Sequence, residues 1–180
     1  MTSVRTHISA PALRDAAAWA GAAAVYGGAQ QLSAWAAQRA RRHGTRSQYQ
    51  RFERPAFAPP GPVFPVVWSA LNLTTATSAW RLWRSRGAGA ARGAGPARRA
   101  LAWWAAAVVV RSGYVPLEFG ARRFWLATAD SALLCAIMVR YASLARQADP
   151  AAAALAVPEV AWTAFATVLS AAVARQNRSS

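Results

Sequence analysis

The sequence contains no lysine, one cysteine, two histidines and only six acidic residues among its 180 positions. Each shortage removes a class of chemistry. Cys135 cannot close an internal disulfide and has no second thiol for a Cys/His metal centre. It lies inside an apolar run, where packing is its expected role. His7 and His43 stand far apart in arginine-rich surroundings, so they do not suggest a two-histidine metal site. No nucleophile–base pairing, metal-ligand cluster or phosphate loop stands out, so no catalytic residue is assigned. The missing lysine makes all 21 basic residues arginine. A GC-rich coding bias accounts for that, and for the abundant alanine, without a special need for guanidinium groups.

Charge of either sign is scarce for a soluble domain. Charged residues are 15% of the chain and hydrophobic ones 55%, against roughly 25% charged in ordinary soluble domains. The formal net charge of +15 raises the question of nucleic acid. The placement of the arginines answers it. They fall in short clusters between apolar stretches, at 39–42, 84–99, 122–123 and 175–178. That is the pattern of membrane-helix flanks, where arginine meets lipid headgroups. No nucleic-acid partner is expected.

Five apolar stretches remain, predicting helices over about 16–38, 63–84, 99–119, 123–146 and 151–174. Each is near the ~20 residues that cross ~30 Å of hydrocarbon at ~1.5 Å per residue. The expected fold is therefore all-α, a five-transmembrane-helix bundle, since helices satisfy their own backbone in lipid. A soluble bundle is disfavoured because polar residues are confined largely to the links. Residues 1–15 read as a flank, 16–177 as one domain and 178–180 as a tail. The first stretch is longer than a signal-peptide core and reads as a retained helix. The loop from Arg39 to Pro62 is basic and proline-rich, and Arg84 to Arg99 reads as a flexible Gly/Ala/Arg linker. Most of the nine tryptophans lie toward helix ends; Trp68 and Trp162 lie further inside.

The segment from Arg54 to Trp68, Arg-Pro-Ala-Phe-Ala-Pro-Pro-Gly-Pro-Val-Phe-Pro-Val-Val-Trp, is not generic. It resembles the first-loop and second-helix entrance of the TspO/MBR family of tryptophan-rich sensory and translocator proteins. Pro55, Pro59, Pro60, Val63, Phe64, Trp68 and Leu71 match that family's pattern. Tyr114 with Phe119 and Gly120 resembles the end of its third helix. Pro158, Trp162, Ala166, Leu169 and Asn177 resemble its fifth. The resemblance covers roughly residues 15 to 177. It implies a cavity inside the bundle, capped by the loop residues Pro55, Phe57, Pro59, Pro60 and Phe64. The cavity would take a flat hydrophobic ligand such as a porphyrin or haem-type tetrapyrrole, with no covalently attached cofactor.

Helical spacing puts Trp68, Asn72, Thr75 and Ala79 on one face of the second helix. Glu159, Trp162, Ala166 and Ser170 share a face of the fifth. Two indoles facing each other across small residues would make a flat slot for stacking. The same faces also suit close helix packing. Where the family pattern carries tyrosine, this chain has Asn72 and Glu159; where it carries asparagine, it has Arg111 and Ser170. Glu118 and Pro62 replace aromatic residues. The run Val168 to Arg175 lacks the tyrosine of the sterol-recognition pattern, so sterol binding by that motif is not supported.

Three of the six acids, Glu118, Asp130 and Glu159, fall within predicted membrane helices, as does Arg111. A charge there is expensive and turns inward to a partner. Arg111 is expected to pair with Glu159 or Glu118, or to meet a carboxylate on the ligand. The ligand-binding set is thus Trp68, Asn72, Thr75, Arg111, Tyr114, Glu159, Trp162, Ala166 and Ser170. Three roles follow from the resemblance: a ligand-binding sensor or transport-associated protein, a porphyrin-modifying photochemical enzyme, or a divergent membrane interaction protein. The first, which is not enzymatic, is the leading one. The expected partners are the lipid membrane, the porphyrin-like molecule and a second copy in a homodimer. The default location is the bacterial cytoplasmic membrane, with an organellar membrane as the alternative.

Overall fold

The computed structural model describes residues 13–22, 24, 25, 28, 54–85, 91–115 and 124–177. These form five helices, and no strand occurs among them. Helix α1 covers 13–22, α2 Val63–Ser85, α3 Ala91–Val115, α4 Phe124–Ala148 and α5 Pro150–Gln176. Helices α4 and α5 pack along most of their length and α4 packs likewise on α3, while α2 closes the ring against α5 and α3. Helix α1 runs antiparallel beside α2, where Trp80 donates to the Asp15 carbonyl at 3.0 Å and Arg84 pairs with Asp15 at 3.4 Å. Residues 29–38 of the expected first helix, together with His7, His43 and Glu118, lie outside the described residues.

Helix α2 starts where its prolines direct. Ala58 N–H donates to the Pro55 carbonyl and Val63 N–H to that of Pro60, two tight turns that set the chain's angle of entry. Pro65 then occupies the first turn, where its missing N–H has no intrahelical partner to lose. Helix α3 differs from the sequence expectation. It begins at Ala91 rather than near residue 99 and carries Pro96 inside it. The linker is rich in alanine, a strong helix former. Ala97 and Ala100 are also fully buried in the core, so packing draws this segment into the helix.

The junction of α4 and α5 is a single residue. The Asp149 N–H closes α4 on the Ala145 carbonyl at 2.7 Å. Its side chain caps α5, accepting from the N–H groups of Ala151 and Ala152 at 2.9 and 3.2 Å, with Pro150 starting the helix. Arg81 of α2 grips the same carboxylate through Nε and Nη2, at 2.9 and 3.2 Å. One aspartate therefore ends a helix, begins the next and ties both to a third.

The core joins Leu82, Ala97, Ala100, Ala107, Leu134, Ile137, Met138, Tyr141 and Leu144 with alanines of α5. Alanine lets backbones approach closely, which is how helices pack where water is absent. Ser78 donates to the Ala152 carbonyl at 2.6 Å, so the Tyr141 hydroxyl, also 2.6 Å away, is the donor to Ser78. That chain links α2, α4 and α5 through a buried polar path.

Burial is distributed as in a protein dissolved in lipid. Glu159, Thr75, Ser78 and Thr163 are shut inside, while Val66, Leu73, Val109, Leu133, Val157 and Val168 face outward. Val109 is 73% exposed and Glu159 0%. Helices α4 and α5 are long and apolar enough to cross a membrane. At 23 to 27 residues, α2 to α5 each rise ~34–41 Å, enough for ~30 Å of hydrocarbon.

Partial burial raises the Asp149 carboxyl, but the Arg81 hydrogen bond, the two capped N–H groups and the Arg81 charge outweigh it. Its pKa lies below the ordinary carboxylate value. Its contribution to stability is complete above the unfolded-state pKa of about 3.9 and is lost as pH falls through the lower folded value. Asp149→Ala should therefore destabilise by about 1–2 kcal/mol at pH 7. In thermal unfolding in detergent, the gap to the wild type should shrink as pH falls below about 3.9. An Asp149→Ala protein that melts like the wild type at pH 7 would show the cap to be idle.

Candidate functional site

Near the middle of α2, three side chains on one face converge on α3 and α5. Arg111 of α3 donates from Nη1 to the Asn72 Oδ1 at 2.6 Å and forms an ion pair from Nη2 to Glu159 of α5. Thr75 donates to the other oxygen of the Glu159 carboxylate. The Arg111 guanidinium also lies over the Trp68 ring, 4.8 Å from its centroid. Arg111 is 7% exposed and Glu159 0%, so both charges are withdrawn from solvent. The partner of Arg111, left open by the sequence between Glu118, Glu159 and a ligand, is Glu159.

Each residue reaches the cluster by simple spacing. Trp68, Asn72 and Thr75 occupy successive turns of α2, four and three residues apart. Glu159 follows Pro158 inside α5, and Thr163, one turn on, returns its hydroxyl to the Glu159 carbonyl at 2.8 Å. With one hydroxyl on its carboxylate and another on its carbonyl, Glu159 is tied at both ends.

Aromatic rings cover this polar group on the side of the 54–62 loop. Trp68 meets Trp162 at 6.4 Å and 87°, and Phe64 meets Trp162 at 5.9 Å and 69°. Phe165 tilts against Trp162 at 5.4 Å and takes the edge of Phe57 from the loop at 6.3 Å. The loop residues Pro55, Pro59 and Pro60, with Arg54, Ala58 and Gly61, line a separate open depression of about 630 Å³. None of the five clustered rings borders it.

One expectation changes. The indoles of Trp68 and Trp162 do not face each other as the walls of a flat slot; they meet edge to face. The guanidinium of Arg111 takes one face of Trp68, and edge-to-face contact is one of the two arrangements that aromatic quadrupoles favour. Ser170 shares the buried face of α5 but stands eleven residues past Glu159, ~16 Å of rise, and is apart from the ion pair. Ala166 is half-buried one turn beyond Trp162. Tyr114 falls on α3, and its side chain lies outside the described residues.

Phe165 was missed. It lies three residues from Trp162, so the helical spacing that selected Trp162 and Ala166 could have found it. Among the described residues no group of histidine, cysteine and acidic side chains could hold a metal ion.

The ion pair is testable as a unit. Glu159→Gln or Arg111→Gln leaves one buried charge without its counter-ion and should destabilise the bundle by about 3–5 kcal/mol. The double variant Arg111→Gln/Glu159→Gln should regain most of that loss, because neither charge remains to be desolvated. Thermal unfolding of all four proteins in detergent gives the coupling, and strictly additive losses would mean that the two side chains do not act together.

Comparison with known proteins supplies the wider frame. The family model described as TspO/MBR family matches residues 20–175. The chain is 28% identical over 130 residues to the translocator protein of Sus scrofa, covering 72% of this chain and 75% of that one. It is 30% identical over 135 residues to the tryptophan-rich sensory protein of Cereibacter sphaeroides, covering 72% and 76%. To protein CrtK of Rhodobacter capsulatus it is 30% identical over 129 residues, covering 72% and 78%. With a helical bundle, outward apolar faces and this match over most of its length, the chain belongs to the TspO/MBR family of membrane proteins.

Proposed function

We propose that the protein is a multi-pass membrane protein that binds a flat hydrophobic small molecule of the tetrapyrrole type, in a sensory, regulatory or transport-associated role. The observation that carries this reading is the contiguous cluster of Phe57, Phe64, Trp68, Trp162 and Phe165 between the loop and helices α2 and α5. Its rings are only partly covered, and Phe57 is 51% exposed. A flat conjugated molecule can exchange their edge contacts for stacked ones and bury the exposed ring area. The names of the relatives, translocator and sensory protein, agree with binding rather than chemistry. So does the polar group below the rings, whose carboxylate is committed to Arg111 and Thr75.

The close contact of Trp68 with Trp162 supports a second reading, a divergent member whose site is filled by its own side chains and which acts through membrane partners. Tryptophan fluorescence separates the two. Purified protein in detergent should show saturable quenching on titration with metal-free protoporphyrin, supplied as the free acid or as its dimethyl ester. Trp68→Phe combined with Trp162→Phe should remove most of the saturable component. A folded wild type that neither form quenches saturably would leave the second reading standing.

A further inference from the structure

We infer that the Arg111–Glu159 pair closes the polar end of the aromatic site to acidic ligands, so that the molecule bound is an uncharged flat ring system rather than a carboxylate-bearing one. This rests on the ligand-binding reading above and specifies its substrate class.

The Arg111 guanidinium is the obvious receptor for a ligand carboxylate, being planar and presenting paired donors. Here both of its terminal nitrogens and one of its faces are engaged. Nη1 is held by Asn72 at 2.6 Å, Nη2 by Glu159, and one face by the ring of Trp68 at 4.8 Å. A carboxylate arriving at Arg111 has two routes. It can displace Glu159, which is 0% exposed and would keep only its Thr75 hydrogen bond, a buried charge without its counter-ion. Otherwise it must sit beside Glu159 and place two like charges in a site withdrawn from water. An uncharged ring incurs neither cost. It meets a polar floor that is already neutral and a wall of aromatic rings that gains from contact with it.

Glu159 thus takes the place beside Arg111 that a ligand's carboxylate would otherwise fill. Selectivity comes from a charge already satisfied, which penalises the wrong ligand instead of attracting the right one.

The test measures the ratio of affinities for protoporphyrin dimethyl ester and protoporphyrin free acid by tryptophan quenching in the same micelles. The Arg111→Gln/Glu159→Gln double variant supplies the reference, because micelle partitioning affects both proteins equally. The wild type should prefer the ester by at least about tenfold more than the double variant does. Should the double variant not fold, the diamide of protoporphyrin, uncharged yet polar, serves as control on the wild type. The ester and the diamide should then both bind more tightly than the acid. Equal ratios in the two proteins, an acid that matches the diamide, or an acid preference that vanishes in the double variant would each overturn the inference. If neither porphyrin binds the folded wild type, the ligand-binding reading falls and takes the inference with it.

Discussion

The buried pair of Arg111 and Glu159 is the constraint around which the bundle is organised. An unpaired charge inside a membrane helix is expensive, so neither side chain is tolerable without the other. The pair fixes the position of α3 against α5, and Asn72 and Thr75 bring α2 into the same contact. Three helices meet where their polar groups pair with one another. A turn of sliding along any one of them would leave a donor or an acceptor facing hydrocarbon.

Such fixing matters because the rest of the core has little shape of its own. Alanine supplies much of the buried surface of α3 and α5. A smooth alanine interface allows close approach but discriminates poorly between neighbouring registers, because one methyl group resembles the next. The polar contacts supply the discrimination. Along α2 and α5, Thr75 meets Glu159, Ser78 meets the Ala152 carbonyl, and Arg81 meets Asp149. These steps descend α2 every three residues and retreat along α5, as antiparallel helices require. Polar residues therefore set the register, and small apolar residues permit the contact.

Much of this was legible in the sequence, for reasons that differ by element. The start of α2 was readable because proline acts locally, and Pro59 and Pro60 in the basic loop announce the helix. The start of α3 was not. Glycine and arginine around Ala91 resemble a linker, and the burial of Ala97 and Ala100 that helps draw the segment into the helix is not visible in the sequence. Helical spacing placed Trp68, Asn72 and Thr75 on one face, and Glu159 and Trp162 on another. Spacing along a single helix carries no information about the angle between rings on two helices, so the edge contact of Trp68 and Trp162 could not be foreseen. The partner of Arg111 was ambiguous for the same reason. Glu118 lies two turns away on the same predicted helix, whereas Glu159 is distant in sequence and adjacent only in the folded bundle. Phe165 carries no signal of its own in the sequence, because an aromatic on an apolar helix is ordinary until its neighbours across the bundle are known.

Asn72, Arg111 and Glu159, which the resemblance marks as departures on three different helices, form one cluster. Each alone would be a poor substitution. An arginine without the glutamate leaves a buried cation, and a glutamate without the arginine and Thr75 leaves a buried anion. An asparagine without the guanidinium loses the partner of its carbonyl oxygen. Together they are satisfied, which explains how so many polar groups coexist in a lipid-facing bundle. It also bears on how the site evolves and works. A neutral aromatic or amide position can be altered singly at modest cost, but a buried ion pair couples the helices that carry it. Any change of charge at one of these three positions has to be answered at the others, so the stability of the group belongs to the cluster and cannot be apportioned to one residue.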